Sequence, residues 1–260
     1  MLLKLTTKCN MGCTHCMNDA TEKGVDMSID TLKDTLLFMK KTDIGAFLVI
    51  SGGEPMNHPQ FFEMIKIILE DYEERFKEIL YQVTITTNGE FMNKPENVNK
   101  ICNLLDIYSG LNIQICNDPL YYPRKVELNK AYKKSGQVMF MDNIGKKLYP
   151  KGRALKLLKG DKINKNKCTQ CTNYRLLYKQ LGGFSLSVID TAMILSGKFC
   201  TPAITPKGDI LLGESDLCKV CSNIYKSEKE ILKDIGNFHC NGCKEIYDSM
   251  DRKAKDILEK

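Results

Sequence analysis

The chain of 260 residues is long enough to bury a substantial hydrophobic core, either as one large domain or as a domain with an appendage. Its 43% hydrophobic and 27% charged residues are typical of ordinary soluble domains, which excludes a disordered or fibrous protein. The net charge of +6 comes largely from lysine and is small enough to reflect only a solvated surface.

The first half of the sequence alternates short apolar runs with longer amphipathic ones. Strands are predicted at residues 2–6, 47–51, 80–87, 111–116 and 138–141. Helices are predicted between them, at residues 28–39, 61–69, 98–105 and 124–134. Repeated strand–helix units predict an α/β fold with a parallel sheet or barrel, whose functional loops lie at the carboxyl ends of the strands.

The sequence changes character after Lys151. The stretch KLLKGDKINKNKC is rich in lysine and weakly periodic, and most of the remaining cysteines follow it. We therefore place a domain boundary near residue 150, between a barrel at 1–150 and a small Cys-rich domain at 151–260. The second part has few long apolar runs, so we expect bound metal to replace part of its core.

No apolar run is long enough to span a membrane, and no basic-then-apolar leader precedes the first cysteines. We therefore expect a cytoplasmic protein without a membrane partner. Because the cytosol keeps thiols reduced, the 12 cysteines indicate metal or cluster ligation in preference to disulfides.

Three of these cysteines, Cys9, Cys13 and Cys16, share the loop after the first predicted strand. Each iron of a 4Fe-4S cluster needs a ligand, so three cysteines leave one iron open to a substrate or cofactor. The alternative is a zinc site completed by His15, since zinc accepts three cysteines and one histidine. Zinc would not explain the Gly-Gly-Glu-Pro segment at 52–55, after the next strand.

Seven further cysteines form three Cys-x-x-Cys pairs and one single position: Cys168, Cys171, Cys200, Cys218, Cys221, Cys240 and Cys243. They suit thiolate-only sites, which both zinc and iron–sulfur clusters accept. The set has enough ligands for one complete cluster and a second with an open iron, or for one cluster and one zinc. Cys102 and Cys116 lie in predicted helix and strand, where small buried hydrophobic residues are typical.

The Cys-x3-Cys-x2-Cys motif after the first strand, followed by Ser51 to Pro55 after the second, resembles the radical S-adenosylmethionine (radical SAM) superfamily. The resemblance implies a partial (β/α)6 TIM-like barrel and a 4Fe-4S cluster whose open iron chelates the methionine part of S-adenosylmethionine (SAM). It also implies that Gly52, Gly53 and Glu54 contact the methionine ammonium. Paired glycines let backbone oxygens approach an ammonium, Glu54 adds negative charge, and Pro55 stiffens the exit.

Further cofactor contacts are implied on the cysteine loop, at the ends of the third and fourth strands (TITTNG and IQICND) and in YPKGRA: His15, Thr87, Asn88, Gln114, Cys116 and Arg153. The backbone at His15 would lie near the adenine. In relatives a serine at the Cys116 position often touches the ribose, so this cysteine departs from the pattern. Asn88 before Gly89 is also typical of a turn, and His58 before Pro59 is predicted to be a turn residue.

The C-terminal half resembles the SPASM and shorter Twitch extensions, in which a cysteine, a glycine-containing hairpin and later cysteine pairs hold auxiliary clusters. Cys200, TPKGDILL and the pair Cys218/Cys221 follow that outline. These extensions carry a further cysteine soon after the hairpin glycine, which is Gly208 here. This sequence has another residue at that position, near Gly213. The resemblance implies at least one auxiliary 4Fe-4S cluster.

These resemblances imply an enzyme that cleaves SAM to a 5'-deoxyadenosyl radical and abstracts hydrogen from a ribosomally made peptide or protein. The external partner would be a reductant such as flavodoxin or ferredoxin. Because only eight residues precede Cys9, a leader peptide would be read by the barrel, by the C-terminal region or by a separate leader-binding protein. A second interpretation is a radical SAM enzyme that acts on a small molecule or on tRNA. The basic segment 151–167 could bind the phosphates of a tRNA. Of these partners, we do not expect a nucleic acid. A third is a non-enzymatic iron–sulfur scaffold or electron carrier that does not bind SAM.

Overall fold

The computed structural model describes residues 1–43, 46–77, 80–116, 120–124, 126–141, 152–157 and 201–238. The elements in chain order are β1 (Leu2–Thr6), α1 (Ile29–Lys41), β2 (Phe47–Gly52), α2 (Phe61–Arg75), β3 (Gln82–Thr87), α3 (Pro95–Ile107), β4 (Leu111–Cys116), β5 (Val138–Met141), β6 (Pro202–Ile204), β7 (Asp209–Leu212), β8 (Val220–Asn223) and α4 (Glu228–Asn237). Short 3₁₀ turns lie at Pro55–Asn57, Phe91–Asn93, Lys130–Lys134 and Gly152–Lys156. No helix in these ranges is long and apolar enough to cross a membrane.

The strands of the described ranges form one sheet in the order β5-β4-β3-β2-β1-β6-β7-β8. Strands β1 to β6 all run parallel to one another, whereas β7 is antiparallel to β6 and β8 is antiparallel to β7 at one edge of the sheet. The mostly parallel sheet confirms the predicted α/β class and is consistent with a partial TIM-like barrel. The carboxyl ends of β1 to β4 therefore lie on the same side of the sheet. The predicted motifs directly follow these strand ends.

Local signals explain where the helices begin. Ser28 caps α1 by accepting a hydrogen bond from the Thr31 N–H at 3.0 Å, and the last turn of α1 contains two lysines that suit the negative end of the helix dipole. At α4, Ser227 and Glu230 form a capping box.

The sheet has two different faces because successive residues of a strand point to opposite sides. On the helix-side face, apolar residues of the strands such as Leu3, Ile50 and Ile113 pack with α1, α2 and α3 in the main core. On the inner face, Leu2, Ala203 and Leu211 form a separate, smaller apolar group. Burial of the helix-side residues supplies most of the hydrophobic stabilisation.

The predicted helix at residues 124–134 is wrong, because the described residues of this range form only a 3₁₀ turn, at Lys130–Lys134. The residues that precede this turn are held by the distant side chain of Asn93. It donates to the Glu127 carbonyl at 2.6 Å and accepts from the Asn129 N–H at 2.8 Å. Asn129 then caps the turn through Ala131. Side-chain contacts thus replace the i to i−4 ladder that a helix would need.

Two smaller predictions are confirmed. His58 ends the turn at Pro55–Asn57, where its buried ring contacts the Met27 carbonyl at 2.9 Å and accepts from the Gln60 N–H at 3.0 Å. Cys102 is partly buried against the main core.

Residues 201–238 continue the sheet of the first half. Strand β6 pairs with β1, and Ile204, Ile210 and Ile235 belong to the main core. On the inner face the Lys4 ammonium and the Asp216 carboxylate form an ion pair at 2.6 Å, with the Lys4 side chain fully buried and that of Asp216 18% exposed. The domain boundary near residue 150 stays a prediction.

Replacing Asp216 with alanine is expected to destabilise the fold strongly, because it leaves the buried Lys4 charge without its partner. The expected loss in the free energy of unfolding is about 3 to 5 kcal/mol, measured by urea denaturation. Glu70→Ala is the control, since it removes an exposed pair with Lys66 at 3.7 Å and should change stability by less than about 1 kcal/mol. Equal effects of the two substitutions would contradict the structural role of the Lys4–Asp216 pair.

Candidate active site

The cysteine loop, residues 7–27, follows β1 and carries Cys9, Cys13 and Cys16. All three thiols are half-buried and none forms a disulfide. Burial raises the pKa of Cys9, with smaller contributions from the charges of Glu54 and Cys16. Burial, together with the neighbouring Cys9 and Cys16 thiols, raises the pKa of Cys13 to about 12. The three side chains are therefore close enough to repel one another when ionised, and a bound cation would favour the thiolates.

The donor set fits a 4Fe-4S cluster. Three thiols without another protein ligand suit three of its irons, which lie at separate corners. Within the described residues, which include Cys9, Cys13, Cys16 and His15, no three His, Cys, Asp or Glu side chains converge as ligands of one metal ion. A cluster does not require such convergence on a single atom.

The Gly-Gly-Glu-Pro segment lies directly against the start of the cysteine loop. The Gly53 N–H donates to the Thr6 carbonyl at 2.8 Å, and the Glu54 N–H donates to the Lys8 carbonyl at 2.7 Å. A Cβ atom at Gly52 would lie 2.2 Å from the Thr6 oxygen, and one at Gly53 would lie 2.0 Å from the Lys8 oxygen. Both glycines are thus needed for this close approach, and Gly52 also adopts a φ of +133°.

The Glu54 carboxylate joins the carboxyl ends of β2 and β3. It is buried and accepts hydrogen bonds from the Thr87 hydroxyl at 2.7 Å, the Asn88 N–H at 2.7 Å and the Met56 N–H at 3.1 Å. Burial raises the pKa of Glu54 to about 7, although these three donors oppose the shift. The structure therefore brings three predicted site residues together and shows an anchoring role for Glu54 that the motif did not indicate.

Changing Glu54 to glutamine is expected to remove a pH dependence of stability. Because the pKa rises from 4.5 to about 7 on folding, the contribution of Glu54 is fully present below about pH 4.5 and is lost as the pH rises through 7. The unfolding free energy of the wild type minus that of the variant should fall by up to about 3 kcal/mol over that window. Urea denaturation of the metal-free proteins measures it, and a difference that does not vary with pH would contradict the burial of the acid.

Asn10 and Asn88 connect the cysteine loop to the end of β3. The Asn88 side chain donates to the Asn10 Oδ1 at 3.1 Å, and Asn10 donates to Glu90 at 2.5 Å. Glu90 forms a further ion pair with Arg124 at 2.6 Å. Asn88 thus has a structural role beyond the turn predicted for it.

Arg153 clamps the cysteine loop from the far side. Its Nε donates to the Cys13 carbonyl at 2.8 Å and its backbone N–H to the Cys16 carbonyl at 2.9 Å, while Nη1 contacts Asp19 and the Ala20 carbonyl, each at 3.0 Å. Its Nη2 is buried and has no hydrogen-bond acceptor within the ranges described. This donor is therefore available to a bound group.

Aromatic rings cover the His15 side of the loop. The ring centroid of His15 lies 5.0 Å from that of Tyr121 and 5.7 Å from that of Tyr122. Burial and the nearby Cys116 and Cys13 thiols raise the pKa of Tyr122, which keeps its phenol protonated. Sequence reasoning missed Tyr122; its place shortly after a strand end was the only available signal.

Gln114 and Cys116 lie two residues apart on the inner side of β4. Gln114 lines a cavity of about 260 Å³ together with Val49, Thr84 and Met139. Cys116 is half-buried, and burial, with a smaller effect of Glu54, raises its pKa to about 12.

The predicted auxiliary site is only partly covered by the described residues. Cys218 packs against the inner-face group of Leu2, Ala203 and Leu211, and Cys221 packs against the main core. The other predicted ligands lie outside the described residues: Cys168, Cys171, Cys200, Cys240 and Cys243.

Known proteins are similar to this chain in sequence pattern and in fold. The family model described as "Radical SAM superfamily" matches residues 3–146. BtrN in complex with AdoMet and 2-DOIA is similar in structure, with 15% identity, a TM-score of 0.55, and coverage of 95% of this chain and 84% of that one. Streptococcus suis SuiB bound to S-adenosylmethionine has 15% identity, a TM-score of 0.53, and coverage of 92% and 68%. No curated protein sequence matches the chain.

Proposed function

Since the chain belongs to the radical SAM superfamily, we propose that Cys9, Cys13 and Cys16 hold a 4Fe-4S cluster at which the protein cleaves SAM reductively. The observation that carries this proposal is the pairing of the three-thiol loop with the Gly-Gly-Glu-Pro segment, joined by two backbone hydrogen bonds. When bound, the cluster supplies an electron to SAM, which yields methionine and a 5'-deoxyadenosyl radical that takes hydrogen from the substrate.

The residues of the chain bind and orient in this proposal. The backbone oxygens of Gly52 and Gly53 and the Glu54 side chain would hold the methionine ammonium, and Pro55 starts the turn that ends the segment. Arg153 fixes the carbonyls of Cys13 and Cys16 and so holds the spacing of the thiolates. The remaining proposed contacts to the nucleoside come from the loop, β3 and β4: His15, Thr87, Asn88, Gln114 and Cys116.

We propose a ribosomally made peptide or protein as the substrate. One solved structure of Streptococcus suis SuiB, a protein similar in fold, is bound to the precursor peptide SuiA. A peptide-modifying enzyme of this kind needs a one-electron reductant such as flavodoxin or ferredoxin, and a separate protein could read the leader. At least one auxiliary 4Fe-4S cluster in residues 151–260 completes the proposal.

A small-molecule substrate is the second candidate, because BtrN, also similar in fold, was solved with AdoMet and 2-DOIA. The interpretation that the substrate is a tRNA rests on the basic segment 151–167. Most of that segment lies outside the described residues.

The yield of 5'-deoxyadenosine separates these candidates. Anaerobically reconstituted protein with dithionite and SAM is incubated with a short peptide library, with 2-DOIA or with bulk tRNA. Stimulated 5'-deoxyadenosine formation and a mass change only in a peptide would support the first candidate. Stimulation only by 2-DOIA or by tRNA would overturn it. A SAM binding titration tests the electron-carrier interpretation, which predicts no binding.

A further inference from the structure

Residues 213–218 form a loop of the C-terminal region that contacts the cysteine loop just after Cys16. The Ser215 hydroxyl donates to the Met17 carbonyl at 2.9 Å, and the Asp216 N–H donates to the Asn18 Oδ1 at 2.9 Å. Both contacts span 198 residues of sequence. The C-terminal region therefore reaches the proposed cofactor site directly.

The nitrogen of the Asn18 side-chain amide contacts the Gly-Gly-Glu-Pro segment. Its Nδ2 donates to the Gly52 carbonyl oxygen at 3.0 Å. That carbonyl belongs to a residue with a φ of +133°, so the peptide adopts an orientation that residues other than glycine rarely reach. One side-chain amide thus bridges the 213–218 loop and the backbone oxygen of Gly52.

The Lys4–Asp216 ion pair fixes the far end of this bridge. Lys4 is fully buried on the inner face, and its ammonium lies 2.6 Å from the Asp216 carboxylate. A buried pair contributes little net stability relative to an apolar pair, so its value here lies in holding Asp216 in one position. The contacts run in order from Lys4 to Asp216, Asn18 and Gly52.

We infer that Asn18, held by the Lys4–Asp216 pair, is a positioning residue that orients the Gly52 carbonyl toward the methionine ammonium of SAM. A carbonyl oxygen has two lone pairs and can accept from Asn18 and from an ammonium together. The inference rests on the proposed function and adds to it a part of the SAM site supplied by the C-terminal region.

A double-mutant cycle on SAM affinity tests the inference. In reconstituted protein, Asn18→Ala should raise the Kd for SAM about three- to tenfold, the effect of losing one hydrogen bond, with iron content unchanged. Asp216→Ala should raise the Kd in the wild-type background but add little to Asn18→Ala, because it acts through Asn18. In metal-free protein, hydrogen exchange of residues 47–56 should become faster in Asn18→Ala.

Asn223→Ala is the matched control. The Asn223 side chain also bridges two segments: it donates to Asp209 at 2.9 Å and to the Lys207 carbonyl at 3.4 Å and accepts from the Tyr225 N–H at 3.0 Å, but it lies in β8. It should leave the Kd unchanged. Additive effects of Asn18→Ala and Asp216→Ala, or an unchanged Kd in Asn18→Ala, would overturn the inference while the proposed function stands. A wild-type protein with a full cluster that does not bind SAM would overturn both.

Discussion

Replacing Cys9, Cys13 and Cys16 together with alanine is expected to abolish the formation of 5'-deoxyadenosine from SAM under dithionite. The three thiols are the proposed ligands of the cluster, and without them no open iron is held next to Gly52 and Glu54. Liquid chromatography with mass detection measures the product. A variant that still produced 5'-deoxyadenosine would show that the cleavage takes place elsewhere.

Cys102→Ala is the control for this variant, because Cys102 packs against the main core and is not a proposed cluster ligand, so its replacement should leave product formation intact. The triple variant also tests the auxiliary cluster. It should retain about four irons and four sulfides per chain if one auxiliary 4Fe-4S cluster is present. A colourless variant with stoichiometric zinc would contradict the proposal of an auxiliary cluster. It would not contradict the proposal that Cys9, Cys13 and Cys16 hold the first cluster.

Gly53→Ala is expected to be strongly damaging although it adds only one methyl group to the site. The new Cβ would lie 2.0 Å from the Lys8 carbonyl oxygen, so the backbone next to Cys9 must move. That movement also breaks the hydrogen bond from the Glu54 N–H to the same oxygen. We expect a loss of about 3 kcal/mol or more in the free energy of unfolding, and weaker SAM binding.

Gly136→Ala is the matched control for this substitution, since a Cβ there has no atom within 4 Å. Urea denaturation should separate the two variants clearly. If Gly53→Ala were as stable as Gly136→Ala and bound SAM normally, the close contact between the two loops would be contradicted.

The strands and long helices of the first half were predictable because their signals are local. Alternating and β-branched runs gave β1 to β5, and apolar spacing with the Ser28 cap gave α1. The helix at residues 124–134 was wrong because the stretch is shaped by Asn93, more than 30 residues away. The pairing of β6 with β1 likewise joins distant parts of the sequence. The hydrophobic periodicity of a strand does not indicate which strand lies next to it.

The candidate site was predictable where chemistry depends on spacing. The three thiols and the Gly-Gly-Glu-Pro segment are short motifs, so their position after strand ends could be inferred. Asn10, Asn18 and Tyr122 have no such motif, and their roles arise from contacts across the fold. The protein hydrogen bonds of Glu54 were also missed, because a sequence does not show which donors surround a buried acid.

The most direct test of the central claim is the stoichiometry of SAM cleavage by the wild-type protein. Reconstituted without oxygen and reduced with dithionite, it should convert SAM to equal amounts of methionine and 5'-deoxyadenosine, because reductive cleavage of one bond gives both. Quantitative mass spectrometry of the two products measures the ratio. Protein with a full complement of iron that bound SAM but formed no 5'-deoxyadenosine above the protein-free control would contradict the claim.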